Sequence, residues 1–104
     1  MYKIQVYFPF ESLDAIRQAI TENGGGQIGN YTGCMSWWQV HSAWTPEEGA
    51  HPYEGEVGET TEEDEYILQC HVSEAYIHDV IRAIKEVHPY EEPVIDVVKL
   101  ENIW

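Results

Sequence analysis

A chain of 104 residues has room for one domain, which buries roughly two thirds of the surface that its unfolded form exposes. Five Lys and Arg against 19 Asp and Glu give a formal net charge of -14, which repels phosphate backbones and anionic lipid and so argues against nucleic-acid binding and membrane association. With 43% hydrophobic and 12% aromatic residues the chain is too rich in core-forming side chains to stay disordered, and no segment nears the roughly 18 apolar residues of a membrane span.

Residues 2–8, YKIQVYF, alternate Ile4, Val6 and Phe8 with Lys3, Gln5 and Tyr7, the period-2 pattern of a half-buried first strand. The same stretch lacks the basic start and apolar run of a secretory signal, so a cytoplasmic protein is expected. Pro9 ends the strand. Ser12 is the expected N-cap of a helix carrying Leu13, Ile16, Ala19 and Ile20 at helical spacing and running to about Asn23. Gly24, Gly25 and Gly26 then stop it, because glycine alone takes the positive φ of a helix C-cap freely. An anion cradle is a weaker reading of these glycines: they follow a helix, whereas a phosphate loop precedes one.

Residues 34–40, CMSWWQV, read as a second strand whose adjacent Trp37 and Trp38 point to opposite faces of a sheet. A long segment, 41–64, rich in Gly, Glu, Thr and Pro, is expected to be largely irregular and either functional, disordered or held by a neighbouring subunit. Residues 65–72, EYILQCHV, form the third strand. Ser73 is the expected N-cap of a second helix bearing Ile77, Val80, Ile81, Ile84 and Val87, which ends near His88 because Pro89 disfavours helical geometry before it. Residues 94–100, VIDVVKL, make the fourth strand. Cys34 and Cys70 lack metal-type spacing and read as buried thiols.

The order βα, ββ, αβ is that of an α+β, ferredoxin-like βαββαβ sandwich, a four-stranded antiparallel sheet with two helices on one face. Its other face then presents a tryptophan and several tyrosines, a patch suited to burial by other copies of the chain.

The densest cluster of reactive side chains is His88-Pro89-Tyr90-Glu91-Glu92-Pro93, where two prolines stiffen the backbone that carries an imidazole, a phenol and two carboxylates. His88, Glu91 and Glu92 are a partial ligand set for a divalent metal ion such as Zn, Mn or Fe. A shorter copy, His51-Pro52-Tyr53-Glu54, lies in the long central segment, either by chance or as a second half-site, and makes His51 a further candidate ligand. The plainer reading of both copies is a turn whose His and Glu make ordinary hydrogen bonds and whose Tyr packs on the sheet. His41, His71 and His78 stand apart from these motifs. No Ser or Cys sits in a nucleophile motif, and no catalytic residue is assigned. The acidic run from Glu47 to Glu65 reads as a solvated face, since the oxygen-ligand spacing of a calcium loop is missing.

Two segments together, Gly24-Gly25-Gly26-Gln27-Ile28-Gly29-Asn30-Tyr31 with Cys34 shortly after, and His88-Pro89-Tyr90-Glu91-Glu92-Pro93 followed by Asp96, resemble the YqfO-type, Nif-three-like proteins. The likeness is to the PII-like, CutA-like domain inserted in the longer members, and it covers essentially the whole chain; Val94-Ile95 stands where the family more often has Ala-Tyr. It implies a ferredoxin-like fold, a homotrimer, and a domain standing without the dimetal-binding domain of the longer relatives, so that their metal ligands and hydrolase activity do not carry over. The leading expectation is an oligomeric, non-enzymatic module that binds a small molecule or divalent metal ion where the HPYEEP turn meets the glycine loop. Gly26, Gly29, Asn30, Tyr31 and Tyr90 would contact the ligand, and His88, Glu91, Glu92 and His51 would hold a metal. A protein-docking or structural subunit without a small ligand is the alternative. An enzyme using His88 as general base beside Glu91 ranks last.

Overall fold

The computed structural model of the chain describes residues 1–101 and 103. Four strands, β1 (Tyr2–Phe8), β2 (Met35–Trp44), β3 (Thr61–Val72) and β4 (Ile95–Lys99), and two helices, α1 (Leu13–Glu22) and α2 (Ile77–Val87), follow one another in the order β1-α1-β2-β3-α2-β4. The strands lie in the sheet order β2-β3-β1-β4 with every neighbouring pair antiparallel. This is the ferredoxin-like arrangement that the sequence implies.

Register decides which face each side chain occupies. Ile4, Val6 and Phe8 stand opposite Cys70, Leu68 and Tyr66 on β3, and these residues face the helices. Ile16 and Ile20 of α1 and Ile77, Val80 and Ile84 of α2 close over them, so that Ile4, Val6, Phe8, Ile16, Ile20, Leu68, Val80 and Ile84 are fully buried. Each such aliphatic or aromatic side chain contributes about 1.5–3 kcal/mol by leaving water. The opposite face carries Lys3, Gln5 and Tyr7 of β1, Gln69, Ile67 and Glu65 of β3, and Trp38, Val40 and Trp44 of β2. As the alternation predicts, the two tryptophans part company: Trp37 lies on the helix face under the guanidinium of Arg17, 4.7 Å from its ring centre, and Trp38 lies on the open face.

Several boundaries differ from the sequence reading, β4 by one residue at each end (Ile95–Lys99). The segment 41–64 is not largely irregular. β2 continues to Trp44 and β3 begins at Thr61, in the pairs Val40–Glu65, His41–Asp64, Ser42–Glu63, Ala43–Glu62 and Trp44–Thr61. The acidic run is a poor strand former by propensity, but cross-strand partners reverse that preference. His41 Nδ1 lies 2.8 Å from Asp64 and Nε2 lies 3.1 Å from Glu62, and the two carboxylates raise the pKa of the imidazole. Only residues 45–60 remain as the connecting loop.

Neither expected N-cap caps a helix through its side chain. Ser12 is buried at the end of a short 3-10 turn, Phe10–Ser12, whose backbone bond runs from Ser12 N–H to Pro9 O, and its hydroxyl makes no cap bond to α1. Ser73 Oγ instead accepts the N–H of Ala75 in a turn that delays α2 to Ile77. Cys34 lies just before β2 and is only half-buried, whereas Cys70 is buried in β3 and its thiol is pushed up to about 12 by desolvation. Val87 is exposed, because it ends α2 beyond the packed stripe.

A candidate binding cleft between the two HPYE turns

The glycine run closes α1. Gly25 N–H donates to Ile20 O and Gly24 N–H to Thr21 O, the paired bonds of a Schellman cap, with Gly24 at φ +92°. Gly26 then binds the sheet: its N–H donates to His71 O at 2.8 Å and its carbonyl accepts from Cys34 N–H at 2.8 Å. Ile28 and Tyr31 exchange two backbone bonds of 2.9 Å around Gly29 and Asn30, with Gly29 at φ +54° supplying the turn. Tyr31 is 74% exposed at this tip.

The HPYEEP segment occupies the other end of the sheet. His88 follows α2 in extended conformation, as a residue before proline must, and is 8% exposed. Its Nδ1 accepts the N–H of Tyr90 at 3.1 Å, so its Nε2 carries the proton and donates to Tyr7 O at 2.6 Å. Burial lowers the pKa of the ring below its ordinary value and keeps it neutral. His71, beside the glycine loop, pairs with Lys3, and His88 binds Tyr7, so about 13 Å of β1 separates the two motifs at 3.3 Å per residue. Within one copy of the chain the glycine loop and the HPYEEP turn therefore do not meet, and the expected site at their junction is corrected on this point.

The two HPYE copies do come together. The backbone N–H of His51 donates to both carboxylate oxygens of Glu91, at 3.1 and 3.2 Å, and pins the central loop to the turn. Tyr90 donates to Glu65 at 2.8 Å and Tyr53 donates to Glu11 at 2.9 Å. The rings of Trp44 and Tyr53 lie 5.9 and 6.0 Å from that of Tyr90, each inclined by 50°, and Trp44 N–H donates to Glu54 O at 3.3 Å. Between the loop, β2 and the turn lies a cleft of about 520 Å³, within the range typical of small-ligand sites. Trp44, Tyr53 and Tyr90 form an aromatic wall, and every charged residue of the lining is acidic: Glu47, Glu54, Glu65, Glu91, Glu92 and Asp96. Burial, then the neighbouring carboxylates of Glu63, Glu11 and Glu65, raises the pKa of Glu54, and burial with the Glu65 bond raises that of Tyr90.

Of the sequence candidates, Tyr90, Glu91 and Glu92 line this cleft, and His51 anchors its loop through the backbone. Gly26, Gly29, Asn30 and Tyr31 lie at the far end. His88 supports the turn from behind, and with its one lone pair already accepting a backbone N–H it offers no ligand atom as folded. Among the described residues no group of three or more His, Cys, Asp or Glu converges tightly enough to hold a metal. His88 thus follows the plainer, hydrogen-bonded reading as folded, while Glu91 and Glu92 face the cleft and His51 stands at its edge. Trp44, Tyr53 and Glu65 were not among the candidates. The repeated HPYE pointed to Tyr53, whereas Trp44 enters only because β2 runs four residues further than its hydrophobic pattern.

The sheet order, the helices on one face and the long β2–β3 hairpin define a PII-like, CutA-like domain. PII-like CutA of Nostoc sp. PCC 7120 is similar over 98% of this chain and 83% of its own, with a TM-score of 0.72 and 25% identity. CutA of Pyrococcus horikoshii shares the fold with a TM-score of 0.73 at 18% identity. No protein-family model matches the chain. In sequence it is 34% identical over 102 residues to a GTP cyclohydrolase 1 type 2 homolog of Halalkalibacterium halodurans and 38% identical over 101 residues to that of Listeria innocua. A Bacillus cereus protein related to NIF3 superimposes over 97% of this chain and 26% of its own, with a TM-score of 0.84 and 29% identity. Over nearly its whole length the chain is similar to the PII-like, CutA-like part of these NIF3-related proteins, and it spans about a quarter (27%) of the length of the curated relatives it matches.

Proposed function

We propose that the chain is an oligomeric, non-enzymatic binding module of the cytoplasm whose small-molecule site is the cleft between the two HPYE turns. The observation that carries this reading is the convergence of two distant copies of one motif on a single cleft of about 520 Å³. Binding fits the residues better than turnover does. His88, behind the turn, is neutral with both nitrogens engaged, so it has no free lone pair with which to take a proton. The cyclohydrolase in the relatives' name is accordingly not assigned to these residues.

Self-association supports the site. Tyr7, Trp44, Glu65 and Asp96 line the cleft from the open face of the sheet, and a neighbouring copy seated on that face would roof it. The family resemblance supports a trimer for that assembly. A thermal-shift screen of small metabolites of both charges tests the binding role, with Tyr90→Leu and Glu92→Gln as site variants. Stabilising compounds that lose their effect in these variants are expected; compounds that stabilise all three proteins equally would remove the cleft as the site.

A further inference from the structure

We propose that the cleft selects a small organic cation, an ammonium group carried on an aliphatic body, which lies against the rings of Trp44, Tyr53 and Tyr90 with its charge toward the cleft carboxylates. The inference rests on the reading of the cleft as a ligand site and adds the chemical class of the ligand.

Charge comes first. All six ionisable side chains that carry charge on the lining are carboxylates, in a molecule of net charge -14. An anion entering here would lose its hydration against like charge, whereas a cation lowers the mutual repulsion of the wall. Burial first, and then the neighbouring carboxylates of Glu63, Glu11 and Glu65, raise the Glu54 carboxyl, so no cation of the chain offsets this acidity.

The walls then decide between an inorganic and an organic cation. A hard metal ion needs several oxygens converging within about 2.0–2.6 Å of one point. No such convergence exists among the described residues. The carboxylates instead ring an aromatic floor, and the rings of Trp44 and Tyr53, 5.9 and 6.0 Å from that of Tyr90, suit a diffuse ammonium, which is held by the negative face of a π system. Both tyrosine hydroxyls donate to carboxylates, Tyr53 to Glu11 and Tyr90 to Glu65, which pushes electron density into the rings and strengthens that face. The chain supplies no cation of its own here. Arg17 stacks on Trp37 across the sheet, and no Lys or Arg lines the cleft.

The test is a titration of the full-length chain, followed through the indole N–H signal of Trp44 in a heteronuclear NMR spectrum. Choline is compared with dimethylbutanol, its neutral carbon isostere, and putrescine with a capped lysine peptide; calcium and inorganic phosphate are the inorganic probes. Saturable binding of choline or putrescine at least about 10-fold tighter than the neutral isostere is expected, in line with a desolvated cation–π contact. Trp44→Leu and the double change Glu91→Gln with Glu92→Gln should each weaken it about 10-fold. Trp37→Phe, on the other face, should leave it unchanged, and a folded NMR spectrum of each variant separates lost binding from lost structure. Preference for the peptide over putrescine would identify a protein-borne lysine as the source of the charge, and the reverse a free amine. Equal binding of dimethylbutanol and choline, or binding of phosphate or calcium at Trp44 without the amines, would overturn the cation assignment and leave the cleft as a ligand site. Silence of Trp44 toward every probe, together with a failed metabolite screen, would overturn both.

Discussion

His88 illustrates how a residue that looks like a ligand becomes a fastener. Its imidazole bridges the C-terminal end of β1 to the turn that starts β4, accepting from Tyr90 N–H and donating to Tyr7 O. His88→Ala leaves both backbone groups without a partner in a largely buried place, and a loss of about 1–3 kcal/mol is expected in denaturant unfolding. The pH dependence follows from the direction of the shift. The folded pKa lies below the ordinary 6.5, so the unfolded chain binds the proton first, and the contribution is present above that value and lost as pH falls through the folded pKa. Wild-type stability should decline on acidification below about pH 6.5 more steeply than that of His88→Ala, other groups being common to both. Parallel stability–pH curves for the two proteins would contradict the neutral bridging role.

At the level of elements, the glycine run works by close packing as much as by backbone freedom. Gly25 has no positive φ, yet a Cβ there would stand 2.6 Å from Ile20 Cγ2 and 3.3 Å from Val80 Cγ2, where α1 meets α2. Gly25→Ala is therefore expected to destabilise by about 1–3 kcal/mol through overpacking, measured as a lower denaturation midpoint with unchanged m. A neutral effect would mean that the two helices shift apart freely. The helix stop itself was legible, because three glycines after an amphipathic stretch have few other uses. The extension of β2 and β3 was not, since Glu62 and Asp64 favour strand only when His41 and Gln39 on β2 bind them. The capping serines failed for a related reason: Ser12 and Ser73 satisfy the local rule, but the turns that enter each helix take precedence.

On the scale of the molecule, the β2–β3 hairpin extends beyond β1, which ends at Phe8 opposite Tyr66. The chain consequently measures 47 × 25 × 24 Å with a radius of gyration of 14.7 Å, against about 13 Å for a compact domain of this length. A projecting two-stranded ribbon is only marginally stable alone, and Trp38 stands 40% exposed on the same open face. Native mass spectrometry of the full chain should find a trimer, and Trp38→Glu should shift it toward monomer. A monomeric wild type would remove the assembly from the proposal, and a trimer indifferent to Trp38→Glu would place the interface elsewhere.

The sequence by itself determined the topology and the core. Period-2 and period-3.6 patterns, the glycine stop and Pro89 are local signals, and Ile4, Val6, Phe8, Ile16, Ile20, Val80 and Ile84 can be buried together in few ways. It also marked the HPYEEP turn and its copy as unusual. What only the tertiary structure decided is which marked segments meet. His51 lies 40 residues from Glu91 and donates to it, while the glycine loop, bound at the opposite end of β3, is kept away. Such proximity depends on strand register and on the path of residues 45–60, and neither is encoded in any one segment. Trp44 reaches the cleft because acidic residues find a histidine across the hairpin, a partnership that exists only after the chain has folded.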